Sequence, residues 1–337
     1  MPSRSVPSRV AWVESPLQLL NVVEYAASVG EAVVIEPRAG VLQLEQTVAA
    51  IRSQLPANAR IAEPVASISA SRFRRARSRI VGDVYSGQFR SLVATTGIRD
   101  LVMVDDGSAT VHFAATLGTA PLIRMAQTEG VLMRALGGYL GSRLVAAAAR
   151  GRVTLFTAYG SDPSVRALES RGVRLAANDY SWLRSVTPAT GAVHHPLIVL
   201  GSALVTDGQV GVEDYLDWVR ALAAVEPLSY LPHRRESSAQ RDAVAAISGV
   251  TLEPGVLPVE LVLGAAGALH RVETLPSSAV ATLRAILPAQ VDITVTPVPE
   301  SWWLVGADPH IRRAFEQLAD AETGQDLPDR EDDSNVG

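Results

Sequence analysis

The residues best suited to chemistry follow a short apolar run in the first half of the chain. Leu101–Val104 reads as a buried strand, and two adjacent carboxylates, Asp105 and Asp106, come directly after it, followed by Gly107. A carboxylate at the carboxyl end of a strand can take a proton from a hydroxyl if it is ionised and aimed by its neighbours. Glycine lets the backbone turn sharply at that point. The alternative is that the aspartates cap a helix or start a turn.

A histidine and two arginines lie directly after a predicted strand in the C-terminal half. These residues are His233, Arg234 and Arg235, and Glu236 comes next. Imidazole and guanidinium groups donate hydrogen bonds that suit phosphate and carboxylate oxygens. His233 has a second interpretation, as a structural histidine whose ring is hydrogen-bonded within the fold.

Two hydroxyl side chains, Ser277 and Ser278, open another predicted helix in the same half. The unpaired N–H groups and the positive end of a helix favour an anion, so this position could hold a phosphate or a carboxylate. The alternative is that the serines only cap the helix.

The elements that must position these residues alternate between strands and helices along most of the chain. The first strand, Arg9–Glu14, is followed by Ser15 and Pro16, which are typical of a helix start. Such alternation predicts βαβ units and parallel sheets, and therefore an α/β fold. Residues 121–150 are predicted to be largely helical, with a break at Gly137-Gly138.

The length of 337 residues predicts two domains. A stretch punctuated by proline and glycine, residues 185–196, is the predicted linker. The predicted domains are residues 1–190 and 191–321, and residues 322–337 form an acidic tail that we expect to be disordered. The simplest architecture is two doubly wound, Rossmann-like domains that face each other across a cleft.

Composition excludes several classes of protein. A hydrophobic fraction of 47% with 19% charged residues is typical of a globular protein, and a net charge of −5 argues against broad nucleic-acid binding. There is no cysteine, which excludes disulfides and thiolate metal sites. Because no apolar run is long enough to span a bilayer and residues 1–9 lack a signal-like apolar segment, we expect a cytoplasmic protein.

All thirty basic residues are arginines, and the densest run is Arg72–Arg79. One interpretation is a solvated helix face. The other is a surface that meets an anionic acceptor or the inner leaflet of the membrane, which would make the protein peripheral to that membrane.

Six short motifs together resemble the bacterial sialyltransferases and polysialyltransferases that use CMP-sialic acid and have the GT-B fold. In chain order they are Glu14–Gln18, Gly82–Ser86, Asp105–Gly107, Leu200-Gly201, Tyr230–His233 with Glu236, and Ser277–Ala279. Each motif is short, but each lies at the end of a predicted strand or the start of a predicted helix. The resemblance extends over about residues 9–290 of the 337.

The resemblance implies a role for each motif. One acid of the Asp105-Asp106 pair would be the general base, and we favour Asp106. His233 would contact the CMP phosphate, and Ser277 and Ser278 would hold the phosphate or the donor carboxylate. The remaining donor-side residues are Arg234, Arg235, Glu236 and Gly201. The remaining acceptor-side residues are Ser15, Gln18, Asp83, Ser86 and Gly107.

One departure from the family pattern concerns the sugar. Arg234 follows His233, where many family members have proline. The literal His195-Pro196 lies in the predicted linker and is not taken as the motif. This departure leaves the identity of the sugar more open than the class of reaction.

The function that the resemblance implies is inverting transfer of sialic acid, or a related keto-sugar, from a CMP donor to a glycan hydroxyl. No cofactor and no metal are expected, because neighbouring side chains on an extended strand point to opposite faces. Three alternatives stay open: transfer of another CMP-activated keto-sugar, a nucleotide-sugar epimerase, and a non-catalytic protein that binds a glycan or a nucleotide.

Overall fold

The structure, a computed structural model, describes residues 9–124, 129–186, 193–264 and 269–323. The chain forms two compact units. The first comprises residues 1–193, 254–268 and 278–290, and the second comprises residues 194–253, 269–277 and 291–337. The first unit thus takes in two segments from beyond residue 190. Leu261 and Ile286, one in each of these segments, are buried in its core.

The first unit is built on a seven-stranded parallel sheet. Its strands are β1 (Arg9–Val13), β2 (Val33–Pro37), β3 (Ala59–Ile61), β4 (Ser78–Val81), β5 (Leu101–Val104), β6 (Val153–Thr157) and β7 (Arg174–Ala177). Their order across the sheet is β3-β2-β1-β4-β5-β6-β7. The order reverses between β1 and β4, and ligands of doubly wound sheets bind beyond the carboxyl ends of the strands at such a reversal.

The second unit repeats this arrangement with five parallel strands. They are β8 (Leu197–Leu200), β9 (Leu228–Leu231), β10 (Val250–Leu252), β11 (Arg271–Thr274) and β12 (Asp292–Val295). The order is β10-β9-β8-β11-β12, so the reversal falls between β8 and β11. The predicted α/β class with two doubly wound, Rossmann-like parallel sheets is confirmed.

Helices connect the strands. They are α1 (Pro16–Val29), α2 (Leu42–Ile51), α3 (Ala70–Arg75), α4 (Gly87–Thr96), α5 (Ser108–Thr116), α6 (Val131–Ala148), α7 (Pro163–Ser170), α8 (Ser181–Ser185), α9 (Val212–Val225), α10 (Ser238–Ala245), α11 (Val259–Leu263), α12 (Ala279–Ile286) and α13 (Pro309–Thr323). The predicted start of α1 is confirmed, because Ser15 Oγ accepts a hydrogen bond from the Gln18 N–H at 3.3 Å.

The predicted break at Gly137-Gly138 is wrong, because α6 runs through both glycines, and residues 121–124 are not helical. The reason for Gly137 is close packing. A β-carbon there would overlap the carbonyl oxygen of Leu122. Gly137 therefore allows the backbone at Leu122 to pack closely against α6.

The strands of the first sheet bury side chains on both faces, as expected of a parallel sheet covered by helices. In β1, Val10 and Trp12 belong to one apolar cluster, whereas Ala11 and Val13 belong to another. Successive strand residues point to opposite faces, so the two clusters are the two sides of the sheet.

Two predictions concern residues that the structure does not describe. Residues 187–192 of the predicted linker and residues 324–337 of the predicted tail lie outside the described ranges, whereas Glu322 and Thr323 end α13. Within the described ranges, no helix has both the length and the apolar composition to cross a bilayer.

Candidate functional site

The acidic pair lies at the carboxyl end of β5, where the chain turns into α5. Asp105 is buried, and Asp106 is partly exposed. The Asp106 N–H donates to Thr110 Oγ1 at 3.0 Å, which fixes the backbone at the turn. The two aspartates, which have identical side chains, therefore differ in their exposure to solvent.

Two side chains from the start of α1 hold the Asp106 carboxylate. Gln18 Nε2 donates to Oδ2 at 2.9 Å, and Ser15 Oγ donates to Oδ1 at 3.4 Å. The Gln18 amide is itself held, since its Oε1 accepts from the Glu14 N–H at 2.9 Å. These bonds give the carboxylate a fixed direction while part of it stays in contact with solvent.

Gly82, directly after β4, makes room for this arrangement. A β-carbon on Gly82 would overlap Cγ of Gln18. Gln18 is buried, and its amide is held by the hydrogen bonds to Glu14 and Asp106. Gly82 lies in one of the motifs described above, but its role was missed there. A glycine that follows a buried strand at the reversal of strand order is the signal that could have found it.

Asp105 is bound to its surroundings by backbone contacts. Its Oδ2 accepts from the Ala158 N–H at 2.7 Å, which ties the end of β5 to the end of β6. Its carbonyl accepts from Asn21 Nδ2 at 2.9 Å. Burial raises the pKa of the Asp105 carboxyl to about 7, although the Ala158 N–H opposes the shift. Asp105 thus positions the turn that carries Asp106.

Within the first unit, Gly107 of the Asp105–Gly107 motif lies close to Ser278 of the Ser277–Ala279 motif. Its φ is +63°, a conformation that favours glycine, and a β-carbon on it would lie 2.9 Å from Ser278 Oγ. Tyr159, after β6, donates from its hydroxyl to the Ser278 carbonyl at 3.0 Å. Two motifs far apart in sequence therefore meet beside Asp106. Ser277 ends the preceding segment, which belongs to the second unit.

The other two acceptor-side residues lie between β4 and α4. Asp83 accepts from the Tyr85 N–H at 2.7 Å and forms an ion pair with Arg124. Ser86 is buried at the start of α4, and its carbonyl accepts from the Arg90 N–H at 2.9 Å. Arg124 was missed in the sequence because it belongs to none of the motifs.

In the second unit, residues 232–236 form a tight loop after β9. Glu236, the last residue of this loop, is buried. Glu236 Oε1 accepts from the His233 N–H at 2.7 Å and from the Tyr230 hydroxyl at 3.0 Å. The Tyr230 hydroxyl also bonds that of Tyr215 at 2.7 Å. Burial raises the pKa of the Glu236 carboxyl to about 7. These contacts make Glu236 a positioning residue for the His233 loop.

Gly201, after β8, fits against the same loop. A β-carbon on Gly201 would overlap Glu236 Oε1 and would lie 2.7 Å from the His233 nitrogen and 2.8 Å from the Tyr230 hydroxyl. The structure therefore brings together Gly201, His233 and Glu236, three of the donor-side residues named from the sequence.

The His233 ring has a defined hydrogen-bonding state. Its Nδ1 lies 3.2 Å from the Arg235 N–H, which donates to it, so the proton of the neutral ring is on Nε2. Burial, together with the smaller effects of the Arg235 and Arg234 charges, lowers the pKa of His233 to about 4. At neutral pH, His233 thus presents a neutral N–H donor.

The two arginines of this loop differ in their contacts. Arg234 is exposed, and Arg235 forms an ion pair with Asp207 at 2.7 Å. Within the described part of the chain, no group of three or more His, Cys, Asp or Glu side chains could hold a metal ion.

Comparison with known proteins finds similarity at the level of the fold. No protein-family profile matches the chain. No curated protein sequence matches it either.

Solved structures do match. The α/β-galactoside α-2,3-sialyltransferase of the luminous marine bacterium Photobacterium phosphoreum is similar with a TM-score of 0.53 and 12% identity, covering 95% of this chain and 96% of that chain. The 2,6-sialyltransferase of Photobacterium sp. JT-ISH-224, solved with the donor product CMP and the acceptor substrate lactose, has a TM-score of 0.51 and 11% identity, covering 93% and 76%. With two doubly wound parallel sheets, the chain has the GT-B fold of such enzymes.

Proposed function

We propose that the protein is an inverting glycosyltransferase that moves sialic acid, or a related keto-sugar, from a CMP donor to a hydroxyl of a glycan. One observation carries the proposal. The oriented, partly exposed carboxylate of Asp106 and the hydroxyl of Ser278 both adjoin Gly107 within the first unit. The fold shared with two bacterial sialyltransferases supports it.

Asp106 is the proposed base. Its carboxylate takes the proton from the acceptor hydroxyl while the acceptor oxygen forms a bond to the anomeric carbon of the donor. The bond from that carbon to the phosphate oxygen breaks, and CMP leaves with the electron pair. A single displacement of this kind inverts the anomeric centre. Gln18 and Ser15 orient the base, and Asp105 positions the turn that carries it.

The proposed donor-side residues stabilise the negative charge that grows on the departing phosphate. His233 donates from Nε2, and Arg234 adds a positive charge from the same loop. Ser277 and Ser278 offer hydroxyls to the phosphate or to the donor carboxylate. His233 is neutral before the reaction, so it is proposed as a hydrogen-bond donor. No metal is assigned to the reaction, and we expect transfer to persist in a chelator.

Titration with CMP and with UDP tests the nucleotide. We expect CMP to bind more tightly, and a preference for UDP would contradict the donor and favour an epimerase or another transferase. Incubation with CMP-sialic acid and a panel of glycans, read by mass spectrometry, tests the transfer. CMP binding without any product would favour a non-catalytic binding protein.

Asp106→Asn tests the base. We expect a loss of transfer of about a hundredfold or more, which is typical for removal of a general base, with CMP affinity unchanged. Asp100→Asn is the matched control, since Asp100 immediately precedes β5 at its opposite end and is 41% exposed. If Asp106→Asn keeps full activity, Asp106 is not the base.

A further inference from the structure

The first half of α6 exposes large apolar side chains to solvent. Val131 is 86% exposed, Leu132 is 69% exposed and Tyr139 is 44% exposed. Leu132, Leu136 and Tyr139 follow one another at intervals of four and three residues, so they lie along one side of the helix. Leu136 is half-buried, and Ala135, which is exposed, lies on the same side.

This side is not the one that packs into the protein. The buried residues of α6 are Gly137, Leu140, Gly141, Leu144, Ala147 and Ala148. At 100° per residue, the centre of this buried set is about 140° around the helix from the exposed apolar set. The core of the first unit thus leaves the exposed residues uncovered.

The same side continues with positive charge. Arg143 of α6 and Arg150, which lies in the turn directly after α6, are both exposed and extend this spacing, and α6 contains no acidic residue. We call Leu132, Ala135, Leu136, Tyr139, Arg143 and Arg150 the α6 stripe. Its first half is apolar and its second half is basic.

The neighbouring helices add to this charge. α3 packs against α4, and α4 packs against α6. Neither α3 nor α4 contains an acidic residue, and Arg74 and Arg75 of α3 are exposed. This concentration of arginine belongs to a chain whose net charge is −5.

The arginine run Arg72–Arg79 is not exposed as a whole. Arg72 forms an ion pair with Glu36, and Arg79 is buried with hydrogen bonds to the carbonyls of Phe73 and Gly97. The run alone would therefore make a weak basic surface.

We propose that the α6 stripe binds the surface of an anionic lipid membrane. Leu132, Leu136 and Tyr139 enter the boundary between headgroups and acyl chains, and the arginines contact lipid phosphates. A helix with an apolar side and arginines beside it is typical of interfacial binding. The exposed arginines of the α6 stripe fit an anionic surface. This inference does not depend on the proposed reaction.

Sedimentation with lipid vesicles tests the proposal on the full chain. One set of vesicles contains phosphatidylcholine alone, and the other contains phosphatidylcholine mixed with phosphatidylglycerol. We expect binding to the anionic set, weakened by salt because the Arg charges are screened. Leu132→Glu with Tyr139→Glu should weaken this binding by about tenfold or more, because apolar burial is lost and repulsion is added.

Two further variants make the result specific. Arg143→Gln with Arg150→Gln should weaken binding to anionic vesicles and reduce its dependence on salt. Val305→Glu is the matched control, because Val305 is fully exposed in the second unit, and it should bind like the unaltered chain. Circular dichroism checks that each variant is folded.

Three outcomes would overturn the proposal. One is no sedimentation of the unaltered chain with anionic vesicles. Another is equal binding by the chain with Leu132→Glu and Tyr139→Glu and by the chain with Val305→Glu. The third is that the unaltered chain does not bind vesicles but forms a dimer in size-exclusion chromatography, and that the α6 substitutions abolish this dimer. That result would assign the α6 stripe to a second copy of the chain.

Discussion

Gln18 and Asp106 are 88 residues apart in the sequence, yet Gln18 Nε2 donates to Asp106 Oδ2 at 2.9 Å. Gln18 comes from the first turn of α1 and Asp106 follows β5. The bond therefore spans the point where the strand order of the first sheet reverses. It joins the Glu14–Gln18 motif to the Asp105–Gly107 motif, which are far apart in the sequence.

Gln18→Leu should lower the rate of transfer by about tenfold, because a hydrogen bond to a charged group is worth roughly 1.5–3 kcal/mol and the base loses its orientation. CMP affinity should not change. Steady-state kinetics with a CMP-activated donor measure both. Gln43→Leu is a control of the same type, since the Gln43 amide bonds the carbonyl of Gly255. Full activity of Gln18→Leu would remove Gln18 from the site.

Asp105→Asn should change how stability depends on pH. Burial raises the pKa of Asp105 from 3.8 to about 7 in the folded state, so its favourable contribution is complete below pH 3.8 and is lost as the pH rises through 7. Asparagine cannot ionise, so the variant should gain free energy of unfolding, on the order of 3 kcal/mol, relative to the wild type at pH 8. Urea denaturation at pH 5 and pH 8 measures the difference.

The exposed Asp100, changed to asparagine, should show no comparable gain. Equal pH profiles for Asp105→Asn and the wild type would mean that Asp105 is not buried in solution.

Gly201→Ala should destabilise the second unit by about 1–3 kcal/mol, because the added methyl group must displace the Glu236 carboxylate. CMP binding should weaken as well, since Glu236 holds the His233 loop. Gly306→Ala is the matched control, because nothing lies within 4 Å of a β-carbon there. Chemical denaturation and CMP titration are the measurements. Unchanged CMP affinity in the Gly201→Ala protein would mean that Gly201 does not contribute to the donor site.

The His233 ring should titrate near pH 4 when followed by NMR, because burial and the two neighbouring arginines disfavour its charged form. Arg235→Gln should raise this pKa, since it removes one of those charges. CMP should also raise it if the phosphate contacts the ring, because an anion favours the imidazolium. A midpoint near 6.5, the ordinary value for histidine, would contradict the buried placement.

Local patterns were sufficient to predict much of the fold. The apolar run Leu101–Val104 became β5, and Ser15 with Pro16 marked the start of α1, because strand burial and helix capping are set by neighbouring residues. The break predicted at Gly137-Gly138 failed for the opposite reason. The sequence does not show that the Leu122 backbone packs there.

The candidate site shows the same limit. Residue types and positions at strand ends identified the Asp105-Asp106 pair and His233 as residues of interest, and the family resemblance added Gln18. The sequence could not show that Asp105 is buried, because the two aspartates are adjacent and chemically identical. The contact of Gly107 with Ser278 depends on how distant segments pack, and no local pattern encodes it.

The assembly of the first unit from three separate segments affects the order in which the protein can fold. Leu261 and Ile286 complete its core, and the ribosome makes them only after residues 194–253 of the second unit. A fragment that stops at residue 193 would leave part of that core open to water. Such a fragment should aggregate rather than behave as an independent half, so the N-terminal domain cannot be studied by simple truncation.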